Sequence, residues 1–108
     1  MCFDTMRTPR SFASVFEQAK SFHSAGFVFF YQNANVNEVG FVASKKVGGA
    51  VNRNFARRRM RELFRAHNGL LPRGRFVVLA KKPIGKLPYA ALMEQFSHIV
   101  KQITKSKG

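Results

Sequence analysis

The pattern of this 108-residue chain predicts an α+β sandwich, with helices packed on a small sheet. Three observations carry that prediction. A nearly continuous apolar run, Arg75-Phe76-Val77-Val78-Leu79-Ala80, has the look of a central strand buried on both faces. Two further runs rich in aromatic and β-branched residues precede it. Three other segments repeat their apolar residues at helical spacing, and 45% hydrophobic residues with 12 Phe are enough for a packed core. The length suits a single domain spanning 1–108, ordered over about 8–103 with mobile ends.

The elements follow in order. Thr8-Pro9 can open a helix, since Pro at the first helical position gives up no useful donor. Phe12, Val15, Phe16 and Ala19 then recur at helical spacing, predicting a helix over about 9–20. Gly26 to Tyr31 is aromatic and β-branched and predicts a strand. Gln32 to Glu38 is Asn-rich and predicts a turn. Val39 to Ala43 is then the returning strand of a hairpin. Lys45-Lys46-Val47 either extends the sheet or forms a short further strand. Gly48-Gly49 interrupts the chain.

A helix is predicted over about 50–67, with Asn68-Gly69 as its stop. Pro72-Arg73-Gly74 is a turn before the apolar strand. Pro83 to Leu87 is a loop. Pro88 opens a last helix with Leu92, Phe96, Ile99 and Ile103 as its apolar stripe. The tail from Lys105 is expected to be mobile.

Charge is the strongest functional signal. Lys and Arg total 19 against 5 acids, a net charge of +14. Such an imbalance is self-repulsive without a neutralising partner. Nucleic acid is the first candidate and an anionic membrane surface the second. No apolar run approaches the roughly 20 residues of a membrane span. The N-terminus lacks the features of a signal peptide. A single cysteine, Cys2, excludes an internal disulfide and a cysteine-based zinc site. These features fit a cytoplasmic setting.

The positive charge concentrates in residues 44–65. Wound at about 100° per residue, Arg53, Asn54, Arg57, Arg58, Arg61 and Arg65 fall within an arc of roughly 140°. Ala56, Met60, Leu63 and His67 fall on the other side. A solvated charged face normally interleaves both signs at i, i+4. Here like charges stack at 53/57/61 and 57/61/65, so a polyanion is the natural partner. Guanidinium forks suit phosphate oxygens, which favours contacts to the nucleic-acid backbone. Arg59 lies nearer the apolar flank, where it either snorkels or pairs with an acid.

Independent catalysis is disfavoured. The acids Asp4, Glu17, Glu38, Glu62 and Glu94 are scattered, whereas metal-dependent nucleases cluster carboxylates. His23, His67 and His98 are isolated and lack metal-ligand spacing. Val47-Gly48-Gly49-Ala50 is too short for a nucleotide-hydrolase phosphate loop. No catalytic or metal-binding residue is therefore assigned, and no small-molecule substrate is indicated. Phe12 and Phe16 sit one turn apart. Phe27, Phe29 and Tyr31 share one strand face, and Val28 and Phe30 the other. Spacing alone favours core for each aromatic, although aromatics beside cations can also stack single-stranded nucleic acid.

The same residues resemble a known family. Ser44-Lys45-Lys46-Val47-Gly48-Gly49-Ala50-Val51, then Arg53-Asn54, Arg57-Arg58 and Arg61-Glu62, is similar to the signature of the bacterial ribonuclease P protein subunit. Phe12-x-x-Val15-Phe16-x-x-x-Lys20-Ser21 resembles that family's first helix, and Gly26 to Phe30 its first strand. Phe76 to Pro83 resembles its last strand and the basic turn after it. The resemblance covers about residues 10–103.

It implies an αβββαβα two-layer sandwich with a small mixed sheet and a left-handed βαβ crossover, a hand that general preference would not predict. It also implies an endoribonuclease acting as a ribonucleoprotein. The partners would be the catalytic RNA and precursor tRNA, with no membrane. The RNA subunit would bind most of the Mg²⁺ and hydrolyse the phosphodiester that releases the 5′ leader. Lys45, Lys46, Arg53, Asn54, Arg57, Arg58, Arg61 and Arg65 would meet RNA, and Phe12, Phe16 and Phe30 would line the leader cleft. Phe30 stands where the family often has tyrosine. Phe55 stands where an arginine is usual, so a phosphate contact is lost or Phe55 packs. Arg59 stands where an apolar residue is usual. Charge and fold class alone would equally suit a structural RNA-binding module such as a small ribosomal protein.

Overall fold

The computed structural model describes residues 3–6 and 9–107. Its elements are β1 (Asp4–Thr5), α1 (Pro9–Gln18), β2 (Lys20–His23), β3 (Phe27–Asn33), β4 (Asn37–Val42), α2 (Ala50–His67), β5 (Gly74–Ala80) and α3 (Tyr89–Lys107). After the two-residue β1, this is the order αβββαβα. The expected helix start at Thr8 lies outside the described residues, as does Cys2. α3 runs through Lys107.

The sheet has the order β1-β4-β5-β3-β2. β5 pairs antiparallel with β3 and parallel with β4. The predicted β3–β4 hairpin therefore does not form, although both strands exist. β5 enters between them because its apolar residues suit burial on both faces and the centre satisfies its backbone on both sides. The segment 34–36 arches over the start of β5, where Gly74 leaves no room for a side chain. A Cβ there would stand 2.5 Å from the Gln32 carbonyl oxygen and 2.7 Å from Tyr31 Cε1. The hairpin that forms is β2–β3, pairing Lys20 with Tyr31 and His23 with Val28. Its turn is closed by Ser24, whose backbone N–H and hydroxyl both donate to the Phe27 carbonyl, at 3.0 and 2.9 Å.

Lys45–Val47 is a 3₁₀ turn and not a strand. Val47 N–H donates to the Ser44 carbonyl and Gly48 N–H to the Lys45 carbonyl. Gly48, at φ 137°, then turns the chain into α2. The predicted loop after β5 is also a 3₁₀ turn, Lys82–Lys86.

Strand alternation sorts the core. Phe27, Phe29, Tyr31, Val39, Phe76, Val78 and Ala80 face α2 and α3 in one cluster. The predicted stripe Leu92, Phe96, Ile99 and Ile103 is buried against them. Phe96 is central, with its ring 5.3 Å from that of Phe27 and 5.1 Å from those of Phe29 and His67. Burying such a ring contributes about 1.5–3 kcal/mol. His67 joins the two helices: Nδ1 lies 2.9 Å from the Leu63 carbonyl and Nε2 2.8 Å from Ser97 Oγ.

The opposite face carries a smaller cluster of Met6, Val15 and Val77, flanked by Phe12, Ala19, Phe30 and Val42. Thus α2 and α3 form the helical layer of the sandwich, and α1 covers part of the reverse face. Register gives that face three rows, of which Val28, Leu79 and Val42 form one. Phe30, Val77 and Gly40 form the middle row and lie beneath α1. Gln32, Arg75 and Glu38 form the polar row beside it. Arg75 Nε donates to Glu38 Oε1 at 2.8 Å. Gln32 Nε2 lies 3.3 Å from Ser14 Oγ and 2.9 Å from Gln18 Oε1, fixing α1 to β3.

Candidate nucleic-acid interface

α2 has the bounds the sequence predicted. Its buried residues are Ala56, Met60, Leu63, Phe64 and His67. Phe64 adds itself to the predicted apolar side, and its position shows how the cationic strip is trimmed. Arg53 lies only about 20° around the helix from both Met60 and Phe64. It is accordingly half-buried, and its Nε is buried with no hydrogen-bond partner. Arg53 thus sits at the edge of the strip, closest to the core.

The rest of the strip faces outward. Asn54, Arg58, Arg61 and Arg65 are exposed, and Arg57 is half-exposed. Arg57 Nη2 donates to Asn54 Oδ1 one turn back. That bond holds one edge of the guanidinium and leaves other donors for a ligand. Lys45 and Lys46 are exposed on the 3₁₀ turn that leads into the helix. The outer surface of α2 forms an open groove of about 530 Å³, lined by Val51, Asn54, Phe55, Arg57, Arg58 and Arg61. Val51 is 81% exposed and Phe55 44%, so the cations flank an apolar patch that charge counting overlooked.

The pattern of ion pairs is decisive for the electrostatics. Among the described residues the ion pairs are Arg59–Glu62 at 3.8 Å and Arg75–Glu38 at 2.8 Å. Neither involves Lys45, Lys46, Arg53, Arg57, Arg58, Arg61 or Arg65. Among the described residues the strip is therefore uncompensated by any acid. At ordinary salt, with a screening length of about 8–10 Å, neighbouring guanidinium groups on it still repel.

Arg59 behaves differently. Its guanidinium lies 5.0 Å from the Phe55 ring centre and 4.8 Å from that of Tyr89. Its cation is engaged by two aromatic faces and an acid, which resolves the choice posed by its sequence position in favour of pairing. Phe55, Arg59 and Tyr89 thus form one packed unit. The phenyl ring gives the guanidinium a surface to lie on, and the pair ties α2 to the start of α3.

The aromatic residues divide by face. Phe16 is 44% exposed, with its ring 5.0 Å from that of Phe30 in an edge-to-face contact. Phe30 is half-buried on the α1 side of the sheet. Phe12 is half-buried and covers Gly40. Phe12, Phe16 and Phe30 therefore come together, with Phe16 presenting most of the free surface. This cluster lies across the sheet from α2, so the cationic and aromatic surfaces occupy opposite faces. Ser14, Gln18 and Gln32, which fix α1, carry no signal in residue type or spacing.

Comparison with known proteins decides the family. The model of the family described as Ribonuclease P matches residues 3–104. The chain belongs to the ribonuclease P protein family. The ribonuclease P protein component of Nitratiruptor sp. is 38% identical over 103 residues, covering 95% of this chain and 94% of that protein. The component of Streptococcus pyogenes serotype M5 is 31% identical over 98 residues, 89% of this chain and 82% of that protein. The solved RNase P protein of Thermotoga maritima superposes with a TM-score of 0.80 at 27% identity, over 93% of this chain and 97% of that one. That of Staphylococcus aureus gives 0.79 at 24% identity, over 90% and 92%, a likeness of fold. The α+β fold with its mixed sheet and three helices is that of the RNase P proteins. Membership places the chain in ribonuclease P and tRNA processing. Among its described residues no helix is long and apolar enough to cross a membrane.

Proposed function

We propose that this RNase P protein docks on the catalytic RNA through α2 and holds the 5′ leader of precursor tRNA against the aromatic cluster beside α1. The observation that carries the docking half is the uncompensated strip of Arg57, Arg58, Arg61 and Arg65. Uniform positive charge without fold-internal partners is a surface awaiting phosphates. Lys45, Lys46, Arg53 and Asn54 extend it toward the N-terminus of α2. The leader half rests on Phe16 and Phe30, whose paired rings offer a stacking surface indifferent to base identity. Phe12 supports that surface from beneath α1.

In this reading the RNA subunit hydrolyses the phosphodiester and the protein supplies binding and orientation. The protein's own donors do not assemble a divalent-cation site among the described residues. Glu38 and Glu62 are engaged with Arg75 and Arg59. In this reading the RNA subunit binds most of the Mg²⁺, and none of the protein's roles here passes through it. The setting is the cytoplasm, where precursor tRNA is made in a bacterium.

Reconstitution tests the proposal. Purified protein is combined with a bacterial RNase P RNA and a precursor tRNA over a series of Mg²⁺ concentrations. The protein alone is expected to leave the substrate intact. Added to the RNA, it should permit leader removal at Mg²⁺ concentrations where the RNA alone is inactive. Cleavage by protein without RNA, or no support of the RNA at any Mg²⁺ concentration, would contradict the proposal.

A further inference from the structure

A pocket of about 240 Å³ opens beside the strip, between β1, β4 and α2. Phe64 closes its base, being 3% exposed. Phe3 and Phe41 stand nearly perpendicular to Phe64, at interplanar angles of 87° and 81° and centroid distances of 5.1 and 5.8 Å. Both are only partly buried, so each leaves ring surface facing the opening. Thr5 places an exposed side chain on the rim. Arg61 and Arg65 complete the rim, both exposed and neither paired with an acid among the described residues. The Arg61 guanidinium already lies 5.6 Å from the Phe41 ring centre. It can therefore adopt the stacked position that arginine takes over a planar ring.

From this arrangement we infer that the pocket receives one unstacked nucleotide of RNA, its base against Phe3 and Phe41 and its phosphate on Arg61 and Arg65. The inference rests on the reading of α2 as an RNA-docking helix and adds a specific subsite to it. Size supports a single ring system and excludes a paired helix, since an apolar cavity of about 150 Å³ already takes benzene. Chemistry supports a nucleotide over an apolar peptide side chain. The walls are aromatic, and among the described residues the charged groups at the mouth are the guanidiniums of Arg61 and Arg65, which match an anion attached to the ring. Backbone contacts along the strip carry no base information. A pocket that requires an extruded base would make docking depend on an RNA bulge or loop, and so would set register on the RNA.

The test compares three variants in binding to a bacterial RNase P RNA over a salt series, with thermal unfolding followed in parallel. Thr5→Trp fills the mouth without removing any core atom. Phe3→Ala removes one wall. Arg61→Ala removes one phosphate partner. Thr5→Trp and Phe3→Ala are expected to weaken binding by about five- to 150-fold, the range for stacking of one base, with the salt slope unchanged. Arg61→Ala should weaken binding and also reduce the slope by about 0.7–0.9. Thr5→Trp should keep the wild-type melting temperature. Chemical probing should show one RNA nucleotide that is protected by wild type and reactive with Thr5→Trp. If Thr5→Trp binds as wild type does, the pocket is empty in the complex and the inference is overturned, even where Phe3→Ala binds weakly. If the wild-type protein itself fails to bind the RNA, the docking reading falls, a result distinguishable from the failure of the pocket alone.

Discussion

Replacing Gly40 with alanine should disturb the aromatic cluster from beneath, without replacing any residue assigned to RNA or leader. Gly40 lies on β4 under α1, in register with Val77. A Cβ there would stand 2.4 Å from Phe12 Cε1 and 2.6 Å from Phe12 Cζ. Both distances are far inside van der Waals contact, so the ring must swing away or α1 must lift. Phe12 is half-buried, which gives it somewhere to go and keeps the penalty in the ordinary overpacking range of about 1–3 kcal/mol. For a domain of this size that corresponds to a melting temperature lower by about 4–13 °C. Urea unfolding followed by circular dichroism measures the loss. The same substitution in a Phe12→Ala background has no ring to displace and should cost under about 0.5 kcal/mol, so the pair should be coupled. Leader-bearing precursor should bind the Gly40→Ala complex more weakly, while mature tRNA should bind unchanged. Equal costs of Gly40→Ala in both backgrounds would refute the claim that Phe12 rests on Gly40, and with it the support of the leader cluster from the sheet.

Two further outcomes separate the surfaces. Arg59→Leu should lower stability by about 1–2 kcal/mol, for two lost cation–π contacts at a partly exposed site, yet leave RNA affinity and its salt slope at wild-type values, as urea unfolding and a binding series would show. Phe16→Ala should weaken leader-bearing substrate about five- to 150-fold with little change for mature tRNA, measured by competition binding to the reconstituted complex; equal losses for both would place Phe16 in the core role.

How much of this could be read beforehand depended on how each feature is encoded. α2 was legible to the residue because Gly48-Gly49 and Asn68-Gly69 punctuate it and its charges repeat with helical period. β5 was legible as a buried central strand because it is apolar without alternation. Its neighbours were not, since pairing depends on which strands compete for the centre, and no local residue records that β5 separates β3 from β4. β2 escaped notice because Lys20–His23 is a polar strand at the sheet's edge with Phe22 as its one core residue. Strand parity did separate Phe27, Phe29 and Tyr31 from Phe30, but coverage of both faces by helices is a tertiary outcome. In the interface, charge and spacing brought out every cation of the strip, yet placed Arg53 too generously, because a 140° arc reaches the flank of the core. The pairing of Arg59 with Phe55 and Tyr89 joins residues 30 apart in the chain at its far end, which periodicity along one helix cannot reveal.

The central claim is that the uncompensated face of α2 docks on the catalytic RNA through phosphates. Its most direct test is the salt dependence of that binding for wild type and for Arg57→Ala/Arg61→Ala. Each lost phosphate contact should lower the log–log slope by about 0.7–0.9, so the double variant should bind more weakly with a slope lower by roughly 1.4–1.8. A double variant that retains the wild-type slope and affinity would show that the strip does not meet RNA.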